Sequence, residues 1–193
     1  MKSGRIGRDP VIASAQVFLT GGQFSPMQDD PHARPAFTFT PIGTIHTPFT
    51  EPAGMPIQPA GAKGVKGTIT LEEQYREGLR DLAGFSRIIL IYAFHRSKGY
   101  NLDVIPFLDT KPHGVFATRA PRRPNAIGLS VVRLMAVAGS SLFVQDVDML
   151  DGTPLLDIKP YVPAFDAFPD GKAGWLDRCC GDAETTLSDD RFR

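Results

Sequence analysis

The sequence predicts a mainly β protein, because its apolar residues fall in many short runs separated by turn residues. The 193 residues include 19 glycines and 17 prolines, and Val, Ile, Phe and Thr are frequent between them. This composition favours short strands and turns over a helical bundle. The chain contains neither a G-x-G-x-x-G turn nor a P-loop lysine motif, so no Rossmann domain is predicted. We therefore expect strands and turns with one or a few short helices.

Net charge, apolar run length and cysteine spacing argue against a strongly basic protein, a membrane-spanning protein and a disulfide-stabilised protein. Lys plus Arg and Asp plus Glu number 21 each, so any contact with nucleic acid must rest on a local basic surface. No apolar run approaches the ~18 residues of a transmembrane helix, and no membrane association is expected. Cys179 and Cys180 are adjacent, and a disulfide between neighbours would be strained. Reduced thiols and a cytoplasmic location are therefore expected.

The chain divides into three parts by composition. Residues 1–36 mix Gly, Pro, Asp and Gln with little periodicity, which predicts a loosely structured N-terminal extension. Residues 37–170 form the β-rich body. Residues 171–193 are predicted to be a C-terminal tail in which only Trp175 and Leu176 are anchored, with a loose acidic end.

The body opens with two strands joined by a long loop. Residues 37–46 have the pattern of a strand, which Pro41 confines to a sheet edge or to the start of a strand. Residues 51–64 form a loop rich in proline and glycine, and an unstructured loop of this length is more often functional than not. A second strand is predicted over 65–70.

The next segment has the pattern of a helix. Thr70 and Glu73 have the spacing of a capping box. Tyr75, Leu79 and Leu82 recur at helical spacing, and Gly84 is a typical C-terminal stop. These signals predict one clear helix over 70–84 that covers the core.

Five further strands follow. Residues 87–95 are almost continuously apolar, which predicts a central strand buried on both faces. Shorter strands are predicted at 101–107 and 114–118, and a long one at 127–137. Gly139 and Ser140 predict a tight hairpin into a strand over 141–149. A turn follows at 151–154.

An arginine-rich loop lies between two of these predicted strands. Residues 116–130 read FATRAPRRPNAIGLS, with three arginines, two prolines and no acid. The fork of donors on arginine suits carboxylate and phosphate, and proline restricts the backbone. The loop is therefore a candidate anion clamp, with a solvated basic turn as the alternative.

No metal site is predicted. His95, Asp103, Asp109 and His113 lie close in sequence, but their spacing matches no known ligand pattern. The aspartates at 146–151 place Leu150 where a calcium ligand belongs.

Three stretches carry a resemblance to a known family. They read FHRSKG at 94–99, GVFATRAPRRPNAIGLSVV at 114–132 and DMLDGTPLLDIKPYVP at 148–163. They resemble the TrmO-like family, also called TsaA-like or YaeB-like, of S-adenosylmethionine-dependent tRNA methyltransferases. PIGTIHTPF at 41–49 and PIQPAG at 56–61 also fit. The resemblance covers roughly 37–163 and departs at Ala126, where the family more often has proline.

The resemblance implies a single antiparallel sheet closed as a β-barrel, with a cofactor site at strand ends and loops, often near a homodimer interface. It implies methylation of N6 of threonylcarbamoyladenosine beside the anticodon of tRNA. Matching motif positions place S-adenosylmethionine against the following residues: Pro56, Ile57, Gln58, Phe94, His95, Arg119, Leu129, Gln145, Asp146, Val147 and Asp148.

Residue chemistry adds roles within this site. An arginine such as Arg119 suits the carboxylate of the cofactor, and an aromatic face favours its sulfonium. Asp148, Asp151 and His95 are candidate bases for the acceptor proton, and the sequence does not choose among them. Candidate phosphate contacts for the tRNA anticodon stem-loop are Lys98, Lys111, Arg122 and Arg123.

Two other functions remain open from the sequence. The chain would also suit a non-catalytic β-barrel that binds S-adenosylmethionine or RNA, or a methyltransferase acting on another substrate.

Overall fold

The computed structural model describes residues 37–192, and six of their strands close into an antiparallel barrel. Around the barrel the order is β1, β2, β7, β6, β3, β8, and β8 pairs back onto β1. The barrel strands are β1 (Gly43–His46), β2 (Lys66–Leu71), β3 (Arg87–Ala93), β6 (Ile127–Ala138), β7 (Ser141–Gln145) and β8 (Thr153–Pro160). The predicted mainly β fold and its barrel are confirmed.

The remaining elements are short. Strands β4 (Asp103–Val104) and β5 (His113–Gly114) form a separate two-stranded ladder. Helix α1 (Pro163–Asp166) follows β8. Short 3-10 helices occupy Pro59–Ala62, Glu73–Leu79, Leu82–Gly84, Val115–Ala117, Gly174–Arg178, Cys180–Glu184 and Asp190–Phe192.

Strand alternation builds the core inside the barrel. Along β3, Ile88, Leu90 and Tyr92 are buried, whereas the residues between them are only partly covered. Successive side chains of a strand point to opposite faces, so one face fills the barrel and the other lies outside. The expectation that this strand is buried on both faces is therefore wrong for the outer face. The other strands supply Ile45, Ile69, Leu71, Val132, Leu134, Leu142, Val144 and Leu155 to the same core.

The predicted helix over 70–84 is wrong. Thr70 belongs to β2, where it pairs with Thr44 and Ser141. Cross-strand hydrogen bonds on both sides hold it extended, so it cannot cap a helix. Two 3-10 turns follow instead, at Glu73–Leu79 and Leu82–Gly84. Their apolar residues nevertheless pack on the core, as the spacing indicated.

Other predicted elements differ mainly in length. The hairpin between β6 and β7 is confirmed, with Gly139 at φ 61° in the turn. The first strand is shorter than predicted and starts at Gly43, which lies so close to β2 that a Cβ there would collide with the Thr70 carbonyl. The strands predicted at 101–107 and 114–118 reduce to the two-residue strands β4 and β5.

The C-terminal residues are more ordered than predicted. Besides Trp175 and Leu176, residues as far along as Phe192 contact the body. The expectation of a loose end is wrong for 181–192. Residues 1–36 lie outside the described part. Between residues 37 and 192, no helix has both the length and the hydropathy needed to cross a membrane.

Candidate functional site

A cavity of about 980 Å³ lies at one end of the barrel. The antiparallel pairing of β3 with β6 and β8 sets the end of β3 beside the starts of both partners. Loops from four parts of the chain converge on this rim: 52–60, 106–108, 116–123 and the C-terminal residues from Trp175 onwards. The volume suits a ligand of drug or cofactor size.

The walls of the cavity are largely apolar. Pro56 and Ile57 contribute from the first loop, and Phe94 extends from the end of β3. Leu129 of β6 and Met149, just after β7, complete this surface. Phe94 packs edge-to-face on Tyr92, with ring centroids 5.5 Å apart. Apolar walls with a few polar groups are typical of small-molecule sites.

Arg119 and Gln58 form one polar wall. The Arg119 guanidinium donates from Nη1 to Gln58 Oε1 over 2.8 Å, which joins the arginine-rich loop to the 52–60 loop. Arg119 is exposed and its remaining donors are available to a ligand. The pair can therefore hold a carboxylate.

Three hydroxyl and carboxyl groups form a chain of hydrogen bonds beneath the cavity. Ser130 Oγ donates to Asp148 Oδ1 over 2.7 Å, and the Tyr92 hydroxyl lies 3.0 Å from Ser130 Oγ. An ionised carboxylate only accepts, so the Ser130 proton points to Asp148 and the Tyr92 proton points to Ser130. Asp148 and Tyr92 both line the cavity.

Gly128 makes room for this chain. It pairs with Tyr92 across the β3–β6 ladder, and a Cβ at Gly128 would collide with the Tyr92 ring. The bare glycine thus lets the ring lie across β6, where its hydroxyl reaches Ser130 two residues along.

Protein surroundings raise the pKa of Asp148. Burial raises it to about 6, although the Ser130 hydrogen bond and the Arg119 charge act in the opposite direction. Burial, and then the Asp148 charge, also raise the pKa of Tyr92, so its hydroxyl stays protonated. Asp148 is therefore a carboxylate with unusual proton affinity that faces the cavity.

His95 is the other candidate base at the cavity. Burial, followed by the nearby Arg96 charge, lowers the pKa of its imidazole. The ring is therefore neutral near neutral pH.

Asp151, the third candidate, does not line the cavity. Its Oδ1 accepts from the Thr47 backbone N–H at 3.1 Å and lies 3.3 Å from His46 Nδ1. The Thr47 hydrogen bond is the main reason that the pKa of Asp151 is lowered. These contacts make Asp151 a brace between the turn before β8 and the end of β1.

Three of the expected cofactor residues also lie away from the cavity. Val147 is fully buried in the core. Asp146, at φ 70°, accepts from the Gly64 N–H at 3.0 Å and pairs with Arg87 at 3.4 Å. Gln145 donates to the Gly64 carbonyl. Asp146 and Gln145 thus hold the turn at Gly64, just before β2. The expected cofactor residues that do line the cavity are Pro56, Ile57, Gln58, Phe94, His95, Arg119, Leu129 and Asp148.

The four candidate phosphate contacts have different surroundings. Lys98 and Lys111 are exposed. Arg123 donates to the carbonyls of Thr118 and Ala120, so it braces its own loop. Arg122 is partly buried, and its Nε has no hydrogen-bond partner. The loop is thus held in shape, as its prolines indicated.

Several residues at the cavity were not predicted from the sequence. Ser130 had no sequence signal beyond its place in a strand, and Met149, Leu150 and Thr153 lie just outside the expected stretch. The C-terminal lining of Trp175, Leu176 and Phe192 was also missed. Among residues 37–192, no three His, Cys, Asp or Glu side chains come together as metal ligands.

Comparisons with a family model and with individual known proteins point to the same family. Residues 44–167 match the family described as tRNA-methyltransferase O N-terminal domain. The chain is 53% identical over 154 residues to a probable S-adenosyl-L-methionine-binding protein of Pyrococcus abyssi, covering 80% of this chain and 84% of that protein. It is 35% identical over 150 residues to the tRNA (adenine(37)-N6)-methyltransferase of Escherichia coli strain K12, covering 72% of this chain and 64% of that enzyme.

Solved structures agree with the sequence comparison. The crystal structure of TrmO from Pseudomonas aeruginosa matches with a TM-score of 0.62 and 39% sequence identity, covering 72% of this chain and 62% of that chain. The chain therefore spans most of the Pyrococcus relative but less than two thirds of the Escherichia and Pseudomonas proteins.

Proposed function

The chain belongs to the tRNA-methyltransferase O N-terminal domain family, and we propose that it methylates tRNA with S-adenosylmethionine as donor. The acceptor is N6 of the adenosine beside the anticodon, in its threonylcarbamoyl form. The observation that carries the proposal is the large apolar cavity with Arg119 and Gln58 on one wall and the Asp148 chain beneath it.

The residues around the cavity fit this cofactor. The volume of about 980 Å³ leaves room for a nucleoside-sized ligand with an acceptor base beside it. The apolar surface of Pro56, Ile57 and Leu129 suits an adenine ring, and Arg119 suits a carboxylate. Phe94 offers an aromatic face to a cation. These side chains can hold the cofactor without a metal ion and without a glycine-rich turn.

Asp148 is the proposed proton acceptor. Bound S-adenosylmethionine supplies an electrophilic methyl group on a sulfonium sulfur. When the acceptor nitrogen bonds to this methyl carbon, the methyl–sulfur bond would break with its electron pair left on sulfur, and S-adenosylhomocysteine would be the leaving group. The N–H proton of the acceptor would then be taken by the Asp148 carboxylate. A pKa of about 6 suits this role, since the group is mostly ionised near neutral pH yet retains appreciable proton affinity. Ser130 and Tyr92 orient the carboxylate.

The other two candidates serve different roles in this proposal. His95 remains neutral and contributes to the wall where the acceptor enters. Asp151 is committed to Thr47 and lies outside the cavity. Holding donor and acceptor aligned supplies much of the acceleration, so no covalent nucleophile is required.

The anticodon stem-loop of tRNA is the proposed partner. Lys98 and Lys111 are exposed, and each lies within three residues in sequence of a residue that lines the cavity, Ser97 and Leu108 respectively. Both lysines can contact phosphates. Arg122 is only partly buried and can still contact a phosphate, whereas Arg123 lines the cavity and acts mainly as a brace of its own loop. The net charge of zero means that binding rests on these local groups.

A homodimer in the cytoplasm is part of the proposal. Leu129 and Met135 of β6 and Phe143 of β7 are exposed apolar side chains on the outside of the barrel. Because Leu129 also lines the cavity, a second copy that covers this strip would reach the cavity rim. The adjacent cysteines support a reducing compartment.

Two arms of one assay test the proposal. Purified protein is incubated with methyl-labelled S-adenosylmethionine and tRNA that carries or lacks the threonylcarbamoyl group, and the nucleosides are analysed by mass spectrometry. We expect label on N6 only in the modified tRNA. Label in neither tRNA, despite cofactor binding by calorimetry, would instead support a binding-only function, which the name of the Pyrococcus relative also suggests.

A further inference from the structure

The C-terminal residues form part of the cavity although they lie beyond the family match. That match ends at residue 167, whereas the cavity is also lined by Trp175, Leu176, Ser188 and Phe192. We call residues 174–192 the C-terminal clamp.

The clamp is attached to the loop that carries Pro56. Leu187 forms a β-bridge with Pro56, and the backbone of Ser188 exchanges hydrogen bonds with Gly54 and Met55, each 2.9 Å long. Ser188 Oγ accepts from the Met55 N–H and donates to the Pro52 carbonyl. This side of the clamp is thus held by a short stretch of sheet-like pairing.

The clamp is attached equally to the loops on the opposite side. Arg191 Nη1 donates to the Pro106 carbonyl over 2.6 Å, and the Arg191 guanidinium lies 5.2 Å from the centre of the Phe107 ring. Phe192 packs edge-to-face on the same ring.

A second attachment on this side involves the only tryptophan of the chain. Trp175 stacks on His113 with ring centroids 4.3 Å apart and donates from Nε1 to the Ala117 carbonyl over 2.8 Å. Ala117 precedes Arg119, the proposed cofactor ligand, by two residues. The clamp therefore bridges the loops that supply both Pro56 and Arg119.

We propose that the C-terminal clamp retains S-adenosylmethionine by tying these loops together across the cavity. The inference rests on the proposed cofactor site and adds a segment that the family match does not include. The clamp lines the cavity with apolar side chains, and its hydrogen bonds to both loops must break before the loops separate. It acts on the release of the cofactor, while the chemistry stays with the barrel residues.

Arg191→Ala tests the clamp without changing the cavity lining, because Arg191 itself does not line the cavity. The matched control is Arg76→Ala, which removes another exposed arginine with an acidic partner, Glu73. Cofactor release is measured by stopped-flow, with the fluorescence of Trp175 as the signal. Adding Asp189→Asn removes the carboxylate that Arg191→Ala leaves unpaired. Because Asp189 itself lines the cavity, Asp189→Asn alone is measured as the control for the double variant.

We expect Arg191→Ala to speed release roughly tenfold, since its hydrogen bond and ring contact are lost, while Arg76→Ala matches the wild type. The double variant should also release quickly. Hydrogen exchange of the cofactor-free protein should quicken in loops 52–61 and 106–118 of Arg191→Ala. A release rate within about twofold of the wild-type rate, or unchanged hydrogen exchange in both loops, would overturn the proposed role of the clamp.

The outcome separates the clamp from the proposed function. If calorimetry detects no S-adenosylmethionine binding to the wild type, the cofactor site fails and the clamp's retaining role fails with it, whatever the exchange data show. If the wild type binds and methylates but Arg191→Ala releases the cofactor at the wild-type rate, only the clamp fails.

Discussion

Replacing Ser130 with alanine tests the hydrogen-bond chain that we place behind the proton acceptor. In the wild type, Ser130 Oγ donates to Asp148 Oδ1 over 2.7 Å and stabilises the ionised carboxylate. Removing this donor leaves the burial of Asp148 unchanged. The pKa of Asp148 must therefore rise, because the effect that raises it remains and an opposing one is lost.

The expected size of the pKa shift of Asp148 follows from the strength of the lost hydrogen bond. A hydrogen bond to a charged group contributes about 1.5–3 kcal/mol, and one pKa unit corresponds to about 1.4 kcal/mol. Asp148 is partly exposed to the cavity, where water can replace some of the lost bond, so we expect a rise of about one unit. The wild-type pKa of about 6 should become about 7 in the variant.

The assay is the pH dependence of kcat/KM for tRNA methylation, which reports the pKa of the free enzyme. The base acts when ionised, so the rate rises with pH through the midpoint and levels off above it. Ser130→Ala should move the midpoint upwards by about one unit and leave the high-pH plateau nearly unchanged. A midpoint that stays at the wild-type position would contradict the proposed role of the Ser130 hydrogen bond.

A second variant separates the effect of Ser130→Ala on the pKa of Asp148 from its effect on the free energy of unfolding. Ser130→Ala leaves the buried Tyr92 hydroxyl without its partner, which costs about 1–3 kcal/mol in unfolding free energy. Ser130→Ala/Tyr92→Phe removes that unpaired hydroxyl. Thermal unfolding should show the double variant to be more stable than the single one, while both keep the raised midpoint.

Three further outcomes follow from the same site. Asp148→Asn should abolish the rise of activity with pH near pH 6, whereas His95→Asn should keep it; the same profile in both variants would contradict the assignment of the base. Arg119→Ala should weaken S-adenosylmethionine binding by roughly tenfold or more in calorimetry, because a charge-assisted contact is lost. Unchanged affinity would remove Arg119 from the cofactor site. Gly128→Ala should lower thermal stability by about 1–3 kcal/mol, as expected for overpacking against the Tyr92 ring, and a neutral effect would argue against that close contact.

Local signals predicted the strands and turns better than they predicted the helix. The hairpin after β6 follows from Gly139, whose positive φ glycine adopts without strain. The segment 70–84 has helical spacing, and its apolar residues do pack on the core. Its start is nevertheless in β2, because pairing with two neighbouring strands outweighs a local capping pattern. Such long-range pairing is not visible in a short window of sequence.

Residues of the candidate site were predictable where they belong to a continuous sequence motif. The motifs around Arg119 and His95 do meet at the cavity. The Ser130 chain was not predictable, since it depends on the register that sets Tyr92 opposite Gly128. The C-terminal clamp lacks any recognisable pattern, and its contacts join residues far apart in sequence.

The most direct test of the proposed activity is methyl transfer by the full chain to tRNA with and without the threonylcarbamoyl group, followed by mass spectrometry of the nucleosides. We expect one methyl group on N6 of the threonylcarbamoylated adenosine, dependent on S-adenosylmethionine and strongly reduced in Asp148→Asn. Methylation of unmodified adenosine at an equal rate, or full activity in Asp148→Asn, would contradict it.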